Sequence, residues 1–170
     1  QLLNKHSYDF SNLKNYYDYS FDKLHCGEST WEKAEMRLQK QAIEIVLRKM
    51  GKTSDEISLF ISGDLNNQIV VSNYTIRDFD IPHIGIYAAC STSVLGLIIA
   101  SILVENNFGE FIGTITSSHY ACSERQFRNP TEYGGQKPIS ITTTVTGAGV
   151  AILSNHFSKI KITRATIGCV

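Results

Sequence analysis

The chain has 170 residues, which fits a single domain with a sizeable buried core. Hydrophobic residues make up 42% and charged residues 19%, so the chain is globular rather than disordered. The 16 basic and 16 acidic side chains give a net charge of zero, which argues against nucleic acid or an anionic membrane surface as a partner.

The first 27 residues are rich in tyrosine and show no periodicity, so we expect an N-terminal arm ahead of a domain over 28–170. Ser29 and Glu32 match a capping box, and apolar residues then recur at helical spacing. Gly51 is a natural C-terminal stop. The pattern therefore predicts an amphipathic helix over 31–50.

Strand and helix patterns alternate through the rest of the chain. Strands are predicted over 57–63, 83–89 and 110–117, with helices over 66–79 and 91–107. Residues 120–127 and 141–144 fit either type, 129–138 form a loop, and 148–154 with 159–170 form a hairpin. We therefore expect an α/β fold, a three-layer α-β-α domain with a mostly parallel five-stranded sheet.

Cys90 lies where a buried strand runs directly into an apolar helix. A thiol there faces unpaired N–H groups at the positive end of the helix dipole, which favours a thiolate or a bound anion. The alternative is a small buried residue that fills a tight turn. No Cys-x-x-Cys pair occurs, so we expect no metal site and read the four cysteines as reduced thiols of a cytosol-like compartment.

A cluster of charged residues, 124–137, separates two stretches that are nearly free of charge. One interpretation of such a segment is a loop that encloses something, because the stretches on either side of it are typical of buried elements. The alternative is that these charges pair with one another on a surface loop. The candidate donors are Arg125, Arg128, Gln136 and Lys137, together with His119. Asp64, after the first strand, is either a ligand-loop residue or a helix cap.

Two resemblances sharpen these readings. The sequence ACSTS at 89–93 is similar to the nucleophile motif of thiolase-like condensing enzymes, in which this cysteine receives an acyl group. The chain from about 21 to 170 resembles the stage V sporulation protein AD family of spore-forming bacteria. The motifs that carry this resemblance are FDKLHC at 21–26, WEKAE at 31–35, GDLNNQ at 63–68, SSH at 117–119, ERQFR at 124–128 and PTEYGGQKP at 130–138.

The family resemblance implies a thiolase-like fold and a role in sporulation and germination. It implies a protein that binds dipicolinic acid, alone or as its calcium chelate, and helps to move it into the developing spore without transforming it. It also implies a spore location peripheral to the inner membrane, contacts with other stage V sporulation membrane proteins, and no cofactor. The ligand site would comprise Cys90, as a vestigial nucleophile position, with the donors named above, which suit the two carboxylates of this flat ligand, and Tyr133, which can stack on its ring.

The sequence is about half as long as a thiolase-like protein and is similar to the N-terminal half only. The catalytic residues that condensing enzymes take from the C-terminal half have no counterpart here, so we expect no catalysis. We expect a homo-oligomer or pairing with a C-terminal half. The two alternatives are an acyl-transfer enzyme that uses Cys90 and is completed by a second half, and a scaffold that binds no ligand.

Overall fold

A computed structural model describes residues 16–66, 68–127 and 144–168, and of residues 124–127 the backbone alone. The helices and strands of these residues alternate in chain order. They are α1 (Trp31–Met50), β1 (Leu59–Asp64), α2 (Val70–Arg77), β2 (His83–Gly85), α3 (Thr92–Glu105), β3 (Ile112–Ser118), α4 (Tyr120–Phe127) and β4 (Gly147–Leu153).

The four strands form one mixed sheet in the order β2-β1-β3-β4. β1 is parallel to both β2 and β3, and Leu59 lies opposite Ile112. β4 is antiparallel to β3, with Gly147 opposite Ser118. The chain therefore leaves β1 toward one side of the sheet through α2 and crosses to the other side through α3. This reversal places a crevice at the carboxyl ends of β1 and β3.

Helices cover both faces of the sheet, because residues on β1 and β3 alternate between two apolar cores. Phe60 and Ile115 point to one face and pack with Ile43 and Leu47 of α1 and Ile76 of α2. Ile61 and Ile112 point to the other face and pack with Ala100 and Val104 of α3. The predicted three-layer α/β fold with a mostly parallel sheet is therefore confirmed.

Two local predictions need correction. The predicted hairpin of 148–154 with 159–170 is not formed in the part of the chain described, because residues 159–168 form no strand and are exposed to solvent. The sheet therefore has four described strands instead of the predicted five. The N-cap of α1 is Thr30 rather than Ser29, and its side chain accepts a hydrogen bond from the Lys33 N–H at 3.2 Å. The length of α1 and the left-handed Gly51 at its end (φ 64°) agree with the prediction.

No helix among the described residues combines the length and the apolar character that crossing a membrane requires. α3 is the most apolar helix, but it has 14 residues. Thr92, Gly96, Ala100 and Val104 form its buried stripe, at intervals of four residues. Its opposite side exposes Val94 and Ile102 to solvent.

Candidate functional site

The carboxyl ends of the three parallel strands bring Asp64, Cys90 and His119 to one edge of the sheet. β1 ends at Asp64, β2 leads through residues 86–89 to Cys90, and β3 leads through His119 into α4. Ligand sites in α/β sheets lie at this edge.

Cys90 lies in a short 3₁₀ turn, Ala89–Ser91, that runs directly into α3. Ala89 adopts a left-handed conformation (φ 46°), which is uncommon for a residue with a Cβ and stores strain at the junction. Thr92 Oγ1 accepts a hydrogen bond from the Ala88 N–H (3.1 Å) and donates one to the Ala89 carbonyl (2.8 Å). This bonding fixes the turn and leaves the Cys90 side chain exposed at the start of α3.

Gly63 of β1 allows this junction to lie directly against the sheet. A Cβ at position 63 would meet the Ile86 carbonyl oxygen at 2.5 Å and the Thr92 methyl at a still shorter distance. Both neighbours are closer than any ordinary Cβ contact. The absence of a side chain at Gly63 therefore sets how closely Cys90 approaches the edge of the sheet.

His119 is fully buried, and both of its ring nitrogens are engaged. Nε2 lies 3.0 Å from the Leu24 carbonyl, and Nδ1 accepts a hydrogen bond from the Ala121 N–H at 3.2 Å. These partners fix a neutral ring with its proton on Nε2. Burial lowers the pKa of His119, against the opposing effect of the Leu24 carbonyl.

The ring of His119 therefore holds the N-terminal arm to the sheet edge, and in this conformation it presents no donor to a ligand. Trp31 packs on it with a centroid distance of 5.3 Å and stacks on His25 at 3.7 Å. These contacts give His119 a structural role, and its predicted contact with a ligand stays a prediction.

Arg125 lies in α4, which follows β3 after a single residue. The helix extends over 120–127, so this segment, which the sequence left open between helix and strand, is helical. The other predicted ligand residues, Arg128, Tyr133, Gln136 and Lys137, lie outside the described residues. The structure thus brings Cys90 and the backbone of Arg125 to the same edge of the sheet.

A buried polar network lies at this edge and was missed by the sequence reasoning. The Gln39 amide donates to Ser117 Oγ (2.8 Å) and to Ser72 Oγ (3.2 Å). The Ser117 hydroxyl donates to Glu35 Oε1 (2.7 Å), and the Ser72 hydroxyl donates to Asp64 Oδ2 (3.2 Å). A continuous hydrogen-bonded chain therefore joins two buried carboxyl groups through the centre of the domain.

The two carboxyl groups have different surroundings. Asp64 also accepts the Ser72 backbone N–H at 2.9 Å, so it caps the first turn of α2. The pKa of Glu35 is raised to about 7, first by burial and then by the nearby Asp64, against the opposing hydrogen bonds from Ser117 and Cys122. Burial also raises the pKa of Asp64, which backbone and side-chain donors oppose.

The other described cysteines, Cys26 and Cys122, are buried. Burial raises the pKa of Cys122 to about 12, and the adjacent Glu35 contributes to the increase. Burial also raises the pKa of Cys26. Cys90 is therefore the exposed thiol of the described residues, and no group of three potential metal ligands occurs among them.

Comparisons with known proteins agree on a family and a fold. The sequence model of the Stage V sporulation protein AD family matches residues 9–170. Stage V sporulation protein AD of Bacillus subtilis (strain 168) is 45% identical over 156 residues, which is 92% of this chain and 46% of that protein. The chain thus spans less than half the length of this relative.

Solved structures of condensing enzymes share the fold. The 3-oxoacyl-[acyl-carrier-protein] synthase III of Aquifex aeolicus VF5 aligns with a TM-score of 0.59 and 19% identity, over 78% of this chain and 41% of that enzyme. The tetronic acid condensing enzyme AbyA1 aligns with a TM-score of 0.53 and 16% identity, over 73% of this chain and 39% of that enzyme. At these identities the likeness establishes the fold alone.

Proposed function

Because this chain belongs to the stage V sporulation protein AD family, we propose that it serves sporulation by binding dipicolinic acid and assisting its uptake into the developing spore. The observation that carries the proposal is the exposed turn at Cys90, at the N-terminus of the 14-residue α3 and at the carboxyl edge of a parallel sheet. A helix N-terminus there offers unpaired N–H groups to a carboxylate.

Dipicolinate is a flat dianion, so its second carboxylate needs a cationic partner. Arg125 supports this role by its position in α4, directly after β3. A guanidinium group binds a carboxylate through two parallel hydrogen bonds, which Lys cannot reproduce. We assign Arg128, Gln136 and Lys137 as further donors and Tyr133 as a stacking residue. His119 is omitted, because its ring nitrogens are occupied inside the protein.

A second candidate function is acyl transfer, which the exposed Cys90 at the nucleophile position favours. In that reaction the Cys90 sulfur would form a thioester with an acyl group as the coenzyme A thiol departs. Turnover would then need a base and an oxyanion hole from a second half of the protein. We propose that the family member represented by this chain has kept the position of the cysteine and binds without turnover.

The outer side of α3 supports a proposal about partners. Val94 and Ile102 are 56% and 49% exposed, and Phe108 beyond the helix is 62% exposed. Exposed apolar side chains of this size on a helix that is apolar all round need a covering partner. We propose that a C-terminal half or a second copy covers this side, and that the assembled protein acts in the spore beside stage V membrane proteins.

Calorimetry with dipicolinate, using benzoate as a one-carboxylate control, tests the binding function on the full-length protein. Arg125→Ala should weaken binding by roughly 1.5–3 kcal/mol, which is about a tenfold to hundredfold loss in affinity. Arg125→Lys should also weaken binding, whereas Arg48→Ala at the end of α1 should not. A full-length protein that does not bind dipicolinate would refute the function.

The same titration distinguishes an error in the assigned binding site from an error in the proposed function. If Arg125→Ala and Arg128→Ala both bind like the parent, the assigned site is wrong although the function stands. Incubation with acetyl-coenzyme A and malonyl-coenzyme A, followed by intact-mass and product analysis, tests the second candidate. Repeated formation of a condensed product would establish an enzyme, whereas an unchanged mass agrees with a binding protein.

A further inference from the structure

The hydrogen-bonded chain between Glu35 and Asp64 leaves three buried oxygen atoms without a partner among the described residues. They are Glu35 Oε2, Gln39 Oε1 and Asp64 Oδ1. A buried polar atom without a hydrogen bond costs about 1–3 kcal/mol, so native proteins rarely leave several in one place. An additional hydrogen in this network would remove part of that cost.

Glu35 and Gln39 are four residues apart on the buried side of α1, so their side chains are neighbours. Both Gln39 N–H groups are already used, one on Ser72 and one on Ser117. Its free atom is therefore an acceptor, and so is the free oxygen of an ionised Glu35. Two acceptors cannot bond to each other, but a proton on Glu35 Oε2 turns that atom into a donor and satisfies both.

The donors around the two carboxyl groups indicate which one holds the proton. Asp64 Oδ2 accepts both the backbone N–H and the hydroxyl of Ser72, at the start of α2. Glu35 accepts the Ser117 hydroxyl and lies beside the Cys122 thiol, a weak donor. The charged form is thus better stabilised on Asp64, and Glu35 is the group that keeps a proton.

We propose that Glu35 is an uncharged carboxylic acid in the folded protein, donates a hydrogen bond to Gln39, and acts as a pH-sensitive switch in the packing of α1 on the ends of β1 and β3. Among the side chains that the structure describes, the groups that face it are Asp64 from β1, Ser117 from β3 and Cys122 from α4. None of these is a cation. Ionisation of Glu35 therefore places a second negative charge beside Asp64 and breaks the bond to Gln39.

The sign of the pH effect follows from burial, which raises the pKa of Glu35 from its ordinary 4.5 to about 7. The folded state then binds this proton more tightly than the unfolded chain does. The stability that the proton contributes is complete below about pH 4.5 and is lost as the pH rises through about 7. Between pH 6 and pH 8 the folding equilibrium constant should fall roughly tenfold because of this group.

Urea unfolding at pH 6 and pH 8 tests the proposal with Glu35→Gln, which keeps the shape and the acceptor for Ser117 but cannot ionise. Glu44→Gln, exposed on the same helix, is the matched control. From pH 6 to pH 8, the folding equilibrium constants of the parent and of Glu44→Gln should fall roughly tenfold more than the folding equilibrium constant of Glu35→Gln. Equal falls in the parent and in Glu35→Gln would overturn the proposal.

Infrared spectroscopy at pH 6 gives a second readout that needs no unfolding. The parent should show the carbonyl band of a protonated carboxylic acid, and Glu35→Gln should lack it. The band should persist in Asp64→Asn. The assignment of the proton to Glu35 would be overturned if the parent showed no such band. It would also be overturned if Asp64→Asn lost the band while Glu35→Gln kept it.

Discussion

Gly63→Ala is the sharpest test of how the Cys90 junction is held against the sheet. The added methyl would lie 2.5 Å from the Ile86 carbonyl oxygen and closer still to the Thr92 methyl. A carbonyl of the main chain cannot rotate away, so the residues before Cys90 must shift. Overpacking of this kind costs about 1–3 kcal/mol.

The two contacts can be separated with Thr92→Ser. Serine keeps the hydroxyl that bonds the Ala88 N–H and the Ala89 carbonyl, and removes the methyl that faces Gly63. Alone it should cost about 0.8 kcal/mol, the value of one buried methylene. Combined with Gly63→Ala it should relieve part of the clash, giving a coupling of roughly 0.5–2 kcal/mol.

Urea denaturation of the parent, both single variants and the double variant measures the cost of each substitution in free energy of unfolding and the coupling between them. Gly149→Ala in β4, where a Cβ meets nothing within 4 Å, is the matched control and should change stability by no more than about 0.5 kcal/mol. If Gly63→Ala is as stable as Gly149→Ala, or if the effects at positions 63 and 92 simply add, the junction is not held by the close approach at Gly63.

Two further outcomes follow from the thiols and the polar network. Limiting iodoacetamide should alkylate the exposed Cys90 well before Cys122, because burial raises the pKa of the Cys122 thiol to about 12. Peptide mapping measures the labelling of each cysteine, and equal labelling of the two in the native protein would contradict the described burial. Ser117→Ala should lower the free energy of unfolding by about 1–3 kcal/mol, because it leaves Gln39 and Glu35 without their shared partner. Ser93→Ala, exposed on α3, should have little effect on the same urea unfolding curve.

The sequence predicts the order and type of the main elements because their patterns are local. The capping and C-terminal signals predict both ends of α1 to within one residue, and apolar runs predict β1 and β3. The segment 159–168 shows why pattern alone is insufficient. Its alternation of apolar and polar residues is typical of a strand, but residues 159–168 pair with no strand, although β4 lies at the edge of the described sheet.

The buried side of α1 could not be predicted for a related reason. Apolar spacing indicates a buried face made of apolar side chains, whereas the fully buried positions include the polar Glu35 and Gln39. Their partners are up to 82 residues away along the chain, as for Ser117 and Glu35. A helical period reveals which residues share a face, but not which distant hydroxyl groups will satisfy a buried carboxyl.

His119 illustrates the same limit within the candidate site. A histidine after a strand, beside a charged segment, has the chemistry of a ligand donor. The turn at Leu24 that occupies its Nε2 is 95 residues earlier in the chain. Sequence can therefore nominate such a residue, while the tertiary contact decides whether its nitrogens are available.

The order of the strands has a consequence for the speed of folding. β1 lies at the centre of the parallel strands, yet its partner β3 follows it by 53 residues, as the pairing of Leu59 with Ile112 shows. Closing so long a loop lowers the entropy of the chain before the strands form any stabilising contact. Parallel pairing of this kind therefore slows folding to about milliseconds or longer. During synthesis β1 can pair with β2 once residues 83–85 have emerged, but its other edge stays unpaired until residues 112–118 follow. This interval is when the nascent chain is most exposed to aggregation.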